Sequence, residues 1–145
     1  GIADRAYAHK TGTGWPTLRE LIDSDKRIVI FLEQSGVGSN PASPAYMHSA
    51  FIGNIWDTPY TFATKADFSC KLNRGKKGDP LFLLNHWLGA PTSKIEYARD
   101  VNVDAVLGPR FNQCTLEATQ QPTFIGVDFY EVGDLFAVAK KANGF

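Results

Sequence analysis

Thr123-Phe-Ile-Gly-Val-Asp-Phe-Tyr-Glu-Val-Gly-Asp-Leu-Phe136 is the stretch whose reading decides the fold. Phe124 to Val127 is a short, mostly apolar run bounded by Pro122, too short for a helix, and it reads as a buried strand. Asp128 follows where such a strand would emerge. Gly133 then turns the chain, and Asp134 is an N-cap candidate for a closing helix. A carboxylate at the carboxyl end of a buried strand, followed by a turn and a helix, sits where α/β proteins place their chemistry. The plainer reading is that Asp128 caps a loop or pairs with an arginine.

Three more apolar runs lie upstream. Ile28-Val-Ile-Phe-Leu32 is continuous and β-branched and exits at Glu33-Gln34. Asn54 to Asp57, cut off by Pro59, is a short strand with Asp57 at its exit. Leu81-Phe-Leu-Leu84 exits through Asn85-His86-Trp87. Helices are expected between them. Thr17-Leu-Arg-Glu20 and Ser93-Lys-Ile-Glu96 are capping boxes, and Tyr46 to Ile52 reads as a short helix. Pro109 suits a first helical position before a helix over Phe111–Gln120, and Leu135, Phe136, Val138, Ala139 and Ala142 form the apolar face of the last one. Four apolar strands alternating with helices mean a parallel sheet buried on both faces. Their exits (Glu33, Asp57, Asn85 with His86, and Asp128) fall along one rim.

The rest is read as connections. Residues 1–14 are a polar, Gly/Thr-rich lead-in in which His9 is a solvated loop residue, and Thr11-Gly-Thr-Gly14 lacks the ending and the preceding strand of a phosphate loop. Residues 35–44 are a Gly/Ser/Asn/Pro loop. Thr61 to Asp79 is irregular, and Arg74-Gly-Lys-Lys-Gly78 reads as a solvated basic turn rather than a ligand site.

The 145 residues, 43% of them hydrophobic, suffice for one domain with a real core. Fifteen basic and fifteen acidic residues leave zero formal charge, without the basic footprint of a nucleic-acid or anionic-membrane partner. No apolar run approaches the roughly 20 residues of a transmembrane span, and the N-terminus has no signal-peptide core. Cys70 and Cys114 have no CxxC or Cys/His company, so zinc is not expected. They read either as two buried thiols or as a disulfide closing a loop of about 44 residues, worth roughly 4 kcal/mol.

Several segments together resemble one family. They are Trp15-Pro-Thr-Leu-Arg-Glu-Leu-Ile-Asp23, Arg27-Ile-Val-Ile-Phe-Leu-Glu33, Ile55-Trp-Asp-Thr-Pro-Tyr60, Asp67-Phe-Ser-Cys-Lys-Leu-Asn-Arg74, Pro80-Leu-Phe-Leu-Leu-Asn-His-Trp87 and Phe124-Ile-Gly-Val-Asp-Phe-Tyr130. The resemblance is to secreted, largely fungal phosphodiesterase-like proteins related to phosphatidylinositol-specific phospholipase C. It implies an α/β fold, the C-terminal half (about four βα units) of a TIM-type (β/α)8 barrel with parallel strands, over residues 15–145. It implies a secreted phosphoric diester hydrolase that works only when an N-terminal half, as a separate or cleaved chain, supplies two catalytic histidines. None of His9, His48 and His86 sits in the family's catalytic contexts.

Asp128 matches the last-strand carboxylate that orients the base histidine. Asp57 matches, more loosely than Asp128, a strand-exit carboxylate that contacts the inositol ring in bacterial members, with Tyr60 as a candidate for the neighbouring ring-stacking tyrosine, while Glu33, Asn85, His86 and Tyr130 complete the expected head-group pocket for a phosphodiester or lipid head group. Bacterial members carry an arginine near the sugar where this chain has Glu33-Gln34, so a different head group is as compatible as inositol. The resemblance also implies a Cys70–Cys114 disulfide. No obligatory cofactor or metal is expected, although carboxylates at Glu33 and Asp57 leave room for calcium, as in eukaryotic members. The alternative is a non-enzymatic secreted protein that binds a sugar or lipid head group on the same scaffold.

Overall fold

In a computed structural model, residues 1–10, 12–33, 42–89 and 92–145 are described. The chain is α/β, and every strand pairing among the described residues is parallel. In chain order the elements are α1 (Ile2–Arg5), α2 (Leu18–Asp23), β1 (Ile30–Leu32), β2 (Met47–Ser49) and β3 (Ile55–Asp57). After a 3-10 turn at Lys65–Asp67 come β4 (Leu81–Asn85), α3 (Ile95–Val101), α4 (Asp104–Ala118), β5 (Phe124–Gly126) and α5 (Leu135–Ala142). β1 pairs with β2, and β3, β4 and β5 form a second sheet in that order.

The pleat of the second sheet sorts its residues. Trp56, Phe82, Leu84 and Ile125 face α4 and α5, where Leu107, Phe111, Cys114 and Val138 complete the main core. Trp56 and Phe82, opposite each other in register, stack at 3.8 Å between centroids. Ile55, Leu81 and Leu83 face the other way, toward Phe31, Phe51 and Trp15. A sheet buried on both faces is what continuous apolar strands demand.

Tyr46 to Ile52 does not form the expected helix. Met47–Ser49 is a strand, because its backbone pairs in parallel with Ile30–Leu32, an alternative that local propensity does not encode. The described residues therefore hold five strands in two small sheets, not four in one. The helix around Pro109 starts earlier than expected, at Asp104, with Pro109 in its interior. Its first N–H is held by Asp134 from 30 residues downstream. Thr17 and Glu20 form their reciprocal cap. Ser93 does not cap α3, since its hydroxyl is bonded to Asp128 instead. The lead-in is less loose than expected. α1 opens it, Ala6 bridges to Ile28, and Tyr7 N–H donates to the Ile28 carbonyl at 2.8 Å. His9 stacks on Trp15 at 3.9 Å rather than lying in solvent. The loop expected over residues 35–44 falls largely outside the described residues.

Candidate functional site

Asp57 ends β3 on the face opposite the main core and is fully buried. A carboxylate there needs partners, because an unpaired buried charge costs several kcal/mol. It has five donors. Oδ1 accepts from the Arg74 backbone N–H at 2.8 Å and Asn73 Nδ2 at 3.2 Å. Oδ2 accepts from Arg74 Nε at 3.0 Å, Arg74 Nη2 at 2.5 Å and Asn85 Nδ2 at 3.0 Å. Asn85, at the end of β4, is locked as well: its amide also donates to the Thr58 carbonyl at 2.6 Å, and its backbone N–H to Thr58 Oγ1 at 3.0 Å.

Arg74 is the hub. The segment carrying it runs along the far edge of β3, with Asp57 N–H donating to the Arg74 carbonyl and Asn73 N–H to the Asp57 carbonyl. Gly75 makes this approach feasible: its φ is +78°, and a Cβ there would lie 2.2 Å from the Ile55 carbonyl oxygen. A Cys70–Cys114 disulfide ties the same segment to α4. The guanidinium lies 4.0 Å from the Phe51 ring centroid and 4.9 Å from that of Tyr60, and Tyr60 stacks on Trp87 at 6.0 Å. Arg74 Nη1 reaches Glu33 Oε2 at 3.0 Å. Burial works to lower the Arg74 pKa, but the hydrogen bonds and charge of Asp57, helped by Glu33, outweigh it and leave the guanidinium held above its usual value. Glu33, Asp57, Asn85 and Tyr60 thus meet around one arginine.

Asp128 lies two residues beyond β5. Its carboxylate accepts from the Ser93 hydroxyl, and its backbone carbonyl from Asn102 Nδ2 at 3.0 Å. Asn102, fully buried at the end of α3, also donates to the Val132 carbonyl and accepts from Asp134 N–H, so it clamps the β5–α5 loop. Gly133 is required beside it, with φ +88° and a Cβ position 2.6 Å from the Asn102 carbonyl oxygen. Tyr130 is exposed on this loop and meets Phe136 edge-on.

His86 is not on the rim. Its ring is fully buried, with Nε2 donating to the Val101 carbonyl at 2.9 Å, Nδ1 facing Arg110 Nη1 at 3.4 Å, and the Phe68 ring tilted against it at 4.7 Å. Burial is the main cause that takes its pKa down to about 4, with Arg110 adding to it against the Val101 carbonyl, so the ring is neutral. The backbone alternation explains the inversion: Asn85 points to the site face, and its successor points away. His48 is buried by the lead-in and donates from Nε2 to the Tyr7 carbonyl at 2.9 Å. No hydrogen bond or ring contact joins any of the three histidines to Asp57 or Asp128 among the described residues.

Glu33 and Asp57 do not fit calcium. A guanidinium already lies between them, and the oxygens of Asp57 are occupied by five N–H donors, which leaves a cation facing a cation.

The PI-PLC X family model (PI-PLC X 1) matches residues 2–143. The chain belongs to the PI-PLC X family. Two proteins of Arthroderma benhamiae are similar to this PI-PLC X chain at 27% identity, each alignment covering 99% of this chain. One is a PI-PLC X domain-containing protein 1 aligned over 158 residues, and the other an uncharacterized secreted protein aligned over 169. The chain spans only 50% and 37% of those relatives. No solved structure matches.

Besides His86, sequence reasoning misplaced Arg74 of this PI-PLC X chain, expected in a solvated turn. One signal pointed to it. A strand-exit carboxylate followed by Pro59 is buried and needs a cation, and Arg74 is the next arginine along the chain.

Proposed function

We propose that residues 15–145, preceded by the 1–14 lead-in, are the C-terminal half of a TIM-type barrel in a secreted, phospholipase C-like phosphodiesterase. The observation that carries this reading is the PI-PLC X match over residues 2–143, taken together with Asp57, Asn85 and Asp128 lying at or just beyond the exits of three neighbouring parallel strands. Exits of parallel strands are where barrel enzymes bind and react. The relative described as secreted supports an extracellular location. The chain alone is inactive on this reading, since its histidines make no contact with the rim carboxylates.

The other half of the barrel supplies the general base and general acid. Asp128 accepts the Nδ1–H of the base and stabilises its charged form, as the carboxylate of a triad does, once Ser93 gives up its hydrogen bond. Tyr60 offers a ring face to the head group, and Asn85 and Asp57 set the polar floor beneath it. Glu33 and Tyr130 stand at the mouth. The base takes a proton from a hydroxyl, of the head group or of water, which attacks phosphorus. The acid protonates the leaving alcohol. The outer edge of β5, which pairs with no other strand among the described residues, is where the other half would join.

The test is phosphodiesterase activity of the complete barrel on phosphatidylinositol and on glycerophosphodiesters. Asp128→Ala should lower kcat by a factor on the order of 10³–10⁴ with the fold intact. Unchanged turnover would remove Asp128 from the mechanism. Native mass spectrometry of purified material comes first: a mass combining this chain with a second, different one supports the two-chain enzyme. The chain alone, or two copies of it, favours the head-group-binding alternative.

A further inference from the structure

Arg74 presents its fork asymmetrically. A guanidinium has a side-on edge, made of Nε–H and one terminal N–H, and an end-on edge made of two terminal N–H groups. The side-on edge, Nε and Nη2, is spent on the buried carboxylate of Asp57 at 3.0 and 2.5 Å. Phe51 and Tyr60 fix the plane, at 4.0 and 4.9 Å from their ring centroids. What remains is the end-on edge, already oriented and only partly covered, the side chain being 29% accessible. Among the described residues one contact meets it: Glu33 Oε2 at 3.0 Å from Nη1, from a side chain that is 70% accessible.

An ion pair made by so exposed a carboxylate is weak, because water and salt screen it and the side chain loses rotamer freedom to make it. Glu33 also engages the end-on edge through a single nitrogen, whereas a phosphate can span two parallel N–H groups. Exposed Lys71 and Lys76 lie within three residues of Arg74 and add local positive potential, whereas Lys77 is turned to the Glu117 carbonyl of α4 at 3.0 Å. We propose that the end-on edge of Arg74 is an oxyanion site for a phosphate group, which Glu33 occupies as an intramolecular stand-in and leaves when phosphate arrives. The chemistry is the same whether the phosphate is free or esterified to a head group. The inference extends the site of the proposed function but concerns binding by this chain alone.

The experiment titrates the 15N-labelled chain with inorganic phosphate, glycerol phosphate and glycerol at constant ionic strength, following the Arg74 Nε–H resonance. Both phosphates should shift it, and glycerol should not. Glu33→Gln removes the competitor and its repulsion, on a surface side chain whose change leaves the fold intact. It should tighten phosphate about two- to fivefold, the range an exposed pair allows. Arg74→Lys should weaken it by about tenfold or more. An equal shift with chloride, or a Glu33→Gln affinity no better than the parent's, overturns the proposal. Response to inorganic phosphate alone identifies free phosphate as the ligand, and stronger response to the ester identifies a head group. The outcome is separate from catalysis. A chain that takes phosphate at Arg74, in a complete barrel that cleaves no diester, upholds this site and refutes the enzyme.

Discussion

Replacing Asp57 by alanine should be the most damaging single change at the rim. The substitution removes the acceptor of five hydrogen bonds and one member of a buried ion pair. Breaking such a pair from one side costs about 3–5 kcal/mol, chiefly because the remaining charge is stranded. Arg74 is partly accessible and keeps Glu33, which moves the ion-pair cost to the low end of that range. The Arg74 backbone N–H loses its partner, at about 1–3 kcal/mol if it stays dry, while Asn85 still has the Thr58 carbonyl. The sum is about 4 kcal/mol, a large share of the roughly 5–15 kcal/mol typical of a domain. For about 150 residues this lowers Tm by roughly 8–16 °C. Urea and thermal unfolding followed by circular dichroism, with the disulfide intact, measure it. Glu33→Gln is the control and should cost no more than about 1 kcal/mol. If Asp57→Ala falls within about 1 kcal/mol of the parent, or costs no more than Glu33→Gln, Asp57 does not anchor Arg74.

Three further outcomes are expected. His86 titrates at about 4 when folded against 6.5 for the ordinary side chain, so the unfolded chain binds its proton first as pH falls. Stability is therefore full above about pH 6.5 and declines by about 2 kcal/mol by pH 4.5, and His86→Gln should flatten that slope in urea titrations. Gly75→Ala should destabilise by more than about 2 kcal/mol, because its φ is +78° and a Cβ would meet the β3 backbone. Gly78→Ala, at φ +97° but with open space around it, should cost only about 1 kcal/mol, and equal costs would refute the close approach. Reducing Cys70–Cys114 should cost about 4 kcal/mol and loosen the Arg74 segment, read as a lower urea midpoint and faster exchange of the Asn73 amide.

β1, β3, β4 and β5 were legible because each is an apolar run cut off by proline, glycine or a charged exit; burial on both faces holds for β3 and β4, while β1 is only half-buried and β5, expected to be buried, leaves Phe124 exposed at the sheet edge. Polar groups at the exits were legible for the same reason, since Asp57 and Asn85 end their runs. β2 was not, because Met47-His-Ser49 carries no strand pattern of its own and is held by Phe31 and its neighbours. Ser93 was misread because a capping box is a local pattern, and a carboxylate 35 residues away took its hydroxyl. His86 was placed on the rim through its neighbour Asn85, although consecutive residues leaving a strand face opposite sides. Arg74 was missed because its partners, at positions 33, 51, 57 and 60, lie in segments that meet only in the fold.

The Arg74 segment also accounts for the division into two sheets. β3 turns one edge to β4, with Leu81 N–H donating to the Asn54 carbonyl and Thr58 N–H to the Leu83 carbonyl. On its other edge, Ile55 N–H is taken by the Ala50 carbonyl, and Asp57 gives and receives its backbone bonds to Arg74 and Asn73. Those are the groups a neighbouring parallel strand would need, so β1 and β2 pair with each other instead of extending the sheet. The contacts that hold the arginine for a ligand therefore also close the edge of the strand that supplies its carboxylate. β5 has no such cover: Phe124 is 40% exposed beside an apolar groove of about 670 Å³ lined by Trp15, Leu18, Ile22 and Phe31. If the other half of a barrel joins this chain, its first strand belongs along β5. Amide exchange at Phe124–Gly126 should then slow on joining while exchange at Ile55 and Asp57 stays as it is; protection gained at β3 instead would mean that the Arg74 segment is displaced and that the site takes its final form only in the complete barrel.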